Sequence, residues 1–252
     1  MIKKIMIFML WVLFSHSSHA EEVHVGSVMN FIPAAQDIAR LFEKQTMHTV
    51  KLTFKTSGQL ANIARETQDL DVVLLGDLKM ALNLENEGLL AKNARFTYAI
   101  GKLALWSKQA NLVDSKGNVL RAAQFKNFII PDIKETAYGI AAKSVLEEMK
   151  LWLALESKAI FAPNAVDARD MITEGKAELG FTALSLLNPN TKIEGSVWII
   201  PQKLYPPIEQ QIVLLKFAEN KPAARAFIEF MKMPQVRNII EKYSYSVPVR
   251  TP

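Results

Sequence analysis

The chain has no cysteine among its 252 residues. No disulfide, thiol nucleophile or lipid anchor attached through cysteine can therefore belong to it, and it needs no disulfide to persist in an oxidising compartment. Histidine is also scarce: only His24 and His48 lie beyond the first twenty residues, too few for a histidine cluster around a catalytic metal. Neither a G-x-S-x-G nucleophile elbow nor a G-x-x-x-x-G-K-[ST] phosphate loop occurs. No dense Lys/Arg run interleaves with aromatic residues, so nucleic-acid binding has little support. Long apolar runs are missing as well. Ile5 to Phe14 covers ten residues, well short of the ~20 that span a bilayer as a helix.

That short run has a different meaning in its context. Lys3 and Lys4 precede it, and small and polar residues follow it as far as Ala20. This is the pattern of a secretory signal peptide over residues 1–20, cleaved after Ala20. A free periplasmic protein is the expectation. Removing 20 of 252 residues leaves 232, enough for one large domain or two ordinary lobes. The leader carries Lys3 and Lys4 and no acid, so the formal charge of +5 becomes +3. Such a mild positive field helps to recruit a small anion without specifying one.

Beyond the leader the pattern alternates. Strand-like stretches cover 22–28, 49–54, 70–75, 103–106, 128–130, 179–182, 197–200 and 211–217. Helical spacing covers 33–44, 59–67, 79–87, 139–149, 166–174, 222–232 and 234–243. Alternation of this kind predicts an α/β protein with mostly parallel sheets. In such sheets ligands bind where strand C-termini meet helix N-termini. Trp106, Trp152 and Trp198 lie in apolar surroundings and are assigned to packing.

The joints between strands and helices share a chemistry. In TFKTSGQLANIA, residues 53–64, two hydroxyls and a glycine separate a strand-like stretch from a helical one. Thr56 or Ser57 can act as a helix cap. The same free N–H groups, with the helix dipole behind them, can equally seat an oxyanion. Gly26 to Asn30, Leu75-Gly76-Asp77, Thr136 to Gly139 and Asn164 to Val166 are built alike. Each alone reads as a turn and a cap. Converging on one cleft, they would form a site of backbone N–H groups and neutral side-chain donors.

Three segments carry a wider resemblance: RFTYAIGKLALWS (95–107), AELGFTALS (177–185) and PPIEQQIVL (206–214). With them the chain, from Val23 to about Pro248, resembles the periplasmic molybdate-binding proteins of ABC importers. The resemblance implies a two-lobed periplasmic binding protein fold of type II, each lobe a mostly parallel sheet flanked by helices. Crossing strands near Ile100 and Glu209 would join a first lobe, 21–99 with 211–252 returning to it, to a second lobe, 100–210. It further implies a binding protein without enzymatic activity or cofactor, monomeric, that holds molybdate or tungstate and passes it to a membrane permease.

The family's site residues fall on Asn30 in VMNF, Ser57 in KTSGQL and Tyr138 in TAYG, with backbone donors from Gly76 and from Ala165 or Val166. The resemblance thus favours a ligand hydroxyl at Ser57. No direct metal ligand is implied, since the metal arrives wrapped in its own oxygens. Departures from the family pattern are Met29, where a small or hydroxyl residue is usual, Ala137 in place of proline, and Leu75-Gly76-Asp77 in place of Ser-Ala-Asp. Neutral donors suit a fully deprotonated tetrahedral dianion and offer no acceptor to the remaining proton of phosphate. Two rivals stand beside this reading. One is a receptor of the same fold for sulfate, phosphonate or a small carboxylate, the last of which would call for a bidentate Arg. The other is a Ser-Lys hydrolase built on Ser57, which needs a lysine as base.

Overall fold

The structure is a computed structural model and describes residues 20–187 and 192–248. The leader expected over 1–20 lies outside the described residues except for Ala20. In chain order the first elements are β1 (Glu22–Val28), a short 3-10 turn (Met29–Phe31), α1 (Ile32–Gln45), β2 (Thr49–Lys55), α2 (Ser57–Glu66), β3 (Val72–Leu75), α3 (Leu78–Asn86) and β4 (Leu90–Gly101). There follow β5 (Leu103–Ser107), α4 (Asn118–Ala122), β6 (Phe128–Pro131), α5 (Ala137–Glu148), α6 (Trp152–Leu155), β7 (Ala159–Ala162), α7 (Ala165–Thr173), β8 (Leu179–Ala183) and β9 (Ser196–Ile199). The chain closes with β10 (Ile208–Leu215), α8 (Pro222–Phe230) and α9 (Pro234–Lys242).

Two five-stranded sheets result, ordered β2-β1-β3-β10-β4 and β7-β6-β8-β5-β9. In the first, β1 runs parallel to β2 and β3, while β10 is antiparallel to both β3 and β4. In the second, β6 runs parallel to β7 and β8, while β5 is antiparallel to β8 and β9. Each sheet is therefore mixed: four strands share a direction and one reversed strand stands in fourth place. The central strands β3, β6 and β8 are buried along their whole length, as expected of strands covered by helices on both faces.

The helices bury one face each. On α1 the buried positions are Ala34, Ala35, Ile38, Ala39 and Phe42, a stripe at helical spacing turned toward the first sheet. Phe42 then meets Phe227 and Phe230 of α8 edge to face, at 5.2 Å from each. These contacts draw the C-terminal helices onto the first sheet. Helix α9 is followed by Ser244 in a left-handed conformation (φ 64°), which turns the chain inward so that Tyr245 joins the same core.

The chain leaves the first sheet after Gly101 and returns at Ile208, and these two residues are register partners, as are Ile100 and Glu209. A third segment joins them there. Ser246 and Ile100 exchange backbone hydrogen bonds of 2.7 and 2.9 Å in an isolated antiparallel bridge. Gly101 has no room for a side chain, since a Cβ would stand 2.3 Å from the Tyr138 hydroxyl oxygen.

Phe42 is fully buried. Phe42→Ala is expected to destabilise the fold by about 3–5 kcal/mol, measured as a lowered denaturation midpoint with an unchanged slope.

Candidate functional site

A cleft of about 250 Å³ lies where the helix starts of the two sheets face each other. Its walls include Val28 at the end of β1 with Met29 and Asn30 after it, Thr56, Ser57 and Gly58 after β2, and Gly76, Asp77 and Met80 after β3. The opposite wall is built from Glu135 to Tyr138 before and within α5 and from Pro163 to Val166 before and within α7. All six residues singled out in the sequence, Asn30, Ser57, Gly76, Tyr138, Ala165 and Val166, line this one cleft. The geometry refines what each presents there.

At the second joint the cap and the hydroxyl of interest are different residues. Thr56 is the N-cap of α2: its Oγ1 accepts from the Gln59 N–H at 3.3 Å, and its own N–H donates to Gln59 Oε1 at 3.2 Å, a complete capping box. Ser57 is thereby released from capping. Its Oγ accepts from the Gly76 N–H at 2.9 Å, which strengthens the hydroxyl as a donor toward the cleft. The Gly76 N–H is thus directed to Ser57 and acts on the cleft through that hydroxyl.

At the α5 joint Thr136 caps the helix, accepting from the Gly139 N–H at 3.0 Å. Ala137 and Tyr138 then occupy the first turn, where backbone N–H groups have no ladder partner. The Tyr138 phenol does not face the cleft as a donor. Its hydroxyl is buried at the strand crossing, beside Gly101, Asn30 and Gln210. Tyr138 thus lines the cleft from the first turn of α5 while its hydroxyl reaches the crossing at Gly101. At the α7 joint Asn164 Oδ1 accepts from the N–H groups of Val166 at 2.9 Å and Asp167 at 3.1 Å. The Ala165 N–H is left by this cap, whereas the Val166 N–H is engaged by it.

Charge on the cleft wall comes from carboxylates alone. Asp77 Oδ1 accepts from the Met80 N–H at 2.7 Å, so α3 neutralises its own N-terminus. Glu135 is exposed at the edge. Among the described residues, none that lines the cleft is Lys, Arg or His. Arginines are engaged elsewhere: Arg65 with Glu87, Arg95 with Glu85 and Arg169 with Asp170. Ser57 accordingly has no lysine on the cleft wall to serve as base. Among the described residues no group of three His, Cys, Asp or Glu side chains could hold a metal ion.

Behind the cleft lies a cluster of tyrosines. The Tyr98 hydroxyl donates to Gln210 Oε1 at 2.8 Å, the Leu103 N–H donates to the Tyr205 hydroxyl at 3.1 Å, and the Tyr245 hydroxyl donates to the Asn30 carbonyl at 2.7 Å. Burial pushes the pKa of Tyr98, Tyr138, Tyr205 and Tyr245 above the ordinary phenol value, because the desolvated phenolate is disfavoured. Sequence reasoning missed Tyr245. It lies 215 positions from Asn30, and no local pattern could have paired them.

A two-sheet receptor with a donor-lined cleft at its helix N-termini is the class of protein this arrangement defines. A family profile described as bacterial extracellular solute-binding protein matches residues 23–246, and the chain belongs to that family. The molybdate-binding protein ModA of Azotobacter vinelandii is 36% identical over 236 residues, covering 93% of this chain and 94% of the relative. ModA of Rhodobacter capsulatus is 36% identical over 226 residues, covering 90% and 88%. The solved structure of the Azotobacter vinelandii periplasmic molybdate-binding protein superposes with a TM-score of 0.82 at 33% identity, over 90% of this chain and 100% of that one.

Two measurements check this geometry. Thr56→Ala is expected to lower stability by about 1 kcal/mol, the usual scale for a lost cap, read by chemical denaturation. The tyrosines set the alkaline limit. Below about pH 10, where phenols of the unfolded chain ionise, both states hold their phenolic protons and the contribution is complete. Above it the folded state binds more protons than the unfolded one, so stability falls as pH rises toward the elevated folded values. A urea midpoint that falls steadily above about pH 10 is the expected result.

Proposed function

We propose that the protein is a periplasmic receptor that captures molybdate between its two lobes and delivers it to the permease of an ABC transporter, without chemistry of its own. The observation that carries this reading is that the turn before α1 and the starts of α2, α5 and α7 line one cleft with neutral residues and, among the described residues, no cationic side chain on its wall. A buried dianion is held by many modest donors, each aided by a helix dipole, and needs no salt bridge. Tungstate, of the same charge and shape, is the second cargo. The leader sequence and the names of the relatives support the periplasmic location.

In this reading Asn30 donates through its side chain and the N–H groups of its turn, and Ser57 through its hydroxyl, with Gly76 behind it. Tyr138 and Ala165 donate backbone N–H groups. Val166 joins when Asn164 releases its N–H. The lobes are 21–99 with 211–252, and 100–210, and the paired crossings near Ile100 and Glu209 are the hinge about which bound anion favours closure. The receptor acts as a monomer, takes no cofactor and binds no nucleic acid. A carboxylate cargo is disfavoured by the lack of an arginine, and a hydrolase by the lack of a lysine, among the described residues that line the cleft.

Calorimetry tests ligand class and size together. Molybdate and tungstate are expected to bind, sulfate more weakly, and phosphate least. Ser57→Ala should weaken molybdate binding by about 1–3 kcal/mol, the scale of a lost hydrogen bond to a charged group. Equal affinity for sulfate and molybdate would remove the size argument and favour a general oxyanion receptor.

A further inference from the structure

We infer that Tyr245 is a positioning residue of the anion site, acting through Asn30; the inference rests on the reading of the cleft as an oxyanion site. Asn30 is held by Tyr245 from two directions. The Tyr245 hydroxyl donates to the Asn30 carbonyl at 2.7 Å and accepts from Asn30 Nδ2 at 3.1 Å. One hydroxyl thereby fixes both the backbone and the side chain of a residue on the cleft wall.

The clamp is itself immobilised. Tyr245 is 2% exposed, and its ring lies edge to face on Phe31, 5.3 Å away. Its neighbour Ser246 is bonded in both directions to Ile100 on β4, one residue before the chain crosses to the second sheet. From that second sheet Ser185 also approaches the Asn30 carbonyl, its Oγ at 3.5 Å. The Asn30 turn is therefore set by the C-terminal segment and by the strand crossing together.

Two effects on the anion follow. With one N–H of the Asn30 carboxamide directed to Tyr245, the amide plane is fixed and the other N–H keeps a single orientation. The hydroxyl bound to the Asn30 carbonyl fixes the backbone of the same residue, so the turn that carries Asn30 on the cleft wall keeps its place. Both effects favour bound anion and need no contact between anion and tyrosine.

Tyr245→Phe removes the hydroxyl and keeps the ring. Molybdate calorimetry on the full chain would compare wild type, Tyr245→Phe, Asn30→Ala and the double variant, with Tyr98→Phe as a control. Tyr98 is an equally buried tyrosine whose hydroxyl bonds Gln210 and does not touch Asn30. Tyr245→Phe is expected to weaken binding about tenfold, the scale of one well-made hydrogen bond. In the Asn30→Ala background the same change should cost less than about twofold, since coupled residues are not additive. Tyr98→Phe should leave affinity unchanged. Wild-type affinity in Tyr245→Phe, equal losses with and without Asn30, or an equal loss in Tyr98→Phe would each overturn the positioning role. A wild-type protein that binds no oxyanion would overturn the cleft reading and this inference with it.

Discussion

Every α-helix begins with backbone N–H groups that its own ladder cannot satisfy, and in this protein the first turns of α2, α5 and α7 line one cleft. The rest of the site is organised around keeping the deficit electrically useful. Where the caps are Thr56, Thr136 and Asn164, they are neutral and leave the dipole of the helix unopposed. Helix α3 shows the contrast. Its cap is the carboxylate of Asp77, which occupies the position an external anion would otherwise find attractive.

The fold makes this convergence possible by repeating one plan. Each sheet delivers its parallel strands to helix starts on the same side, and the reversed strand supplies the passage between sheets. At that passage the packing is close: Gly101 accommodates the Tyr138 hydroxyl, and Gly139 lets α5 approach the preceding loop, where a Cβ would stand 2.0 Å from the Asp132 carbonyl oxygen. Glycines at these two places thus let Tyr138 and α5 pack closely behind the cleft.

The α/β alternation and most strands and helices were legible in the sequence because their periodicities are local. Strand β4 was not recognised: it mixes Lys92, Asn93 and Arg95 with apolar residues, lies at a sheet edge, and is interrupted by Asn93 at φ 57°. Strand β7 is four residues long at the edge of the other sheet, too short for a pattern. At the candidate site the six residues could be named from the joints and from the family likeness. Their division of labour could not. That Thr56 caps while Ser57 does not, that the Gly76 N–H serves Ser57, and that the Tyr138 phenol turns to the crossing all depend on contacts between distant segments, which a sequence read along its length does not display.

The placement of β10 also governs how such a chain can be assembled. The second sheet is complete within residues 103–199, so all its pairings close as soon as that stretch is present. The first sheet is in a different position: its fourth strand, lying between β3 and β4, begins at Ile208. Until that strand arrives, β3 and β4 have no common neighbour, and the first sheet remains open along a buried edge. Long-range closures of this kind slow folding, and the first sheet needs one where the second does not. The first sheet is therefore closed only by a strand that lies near the end of the chain.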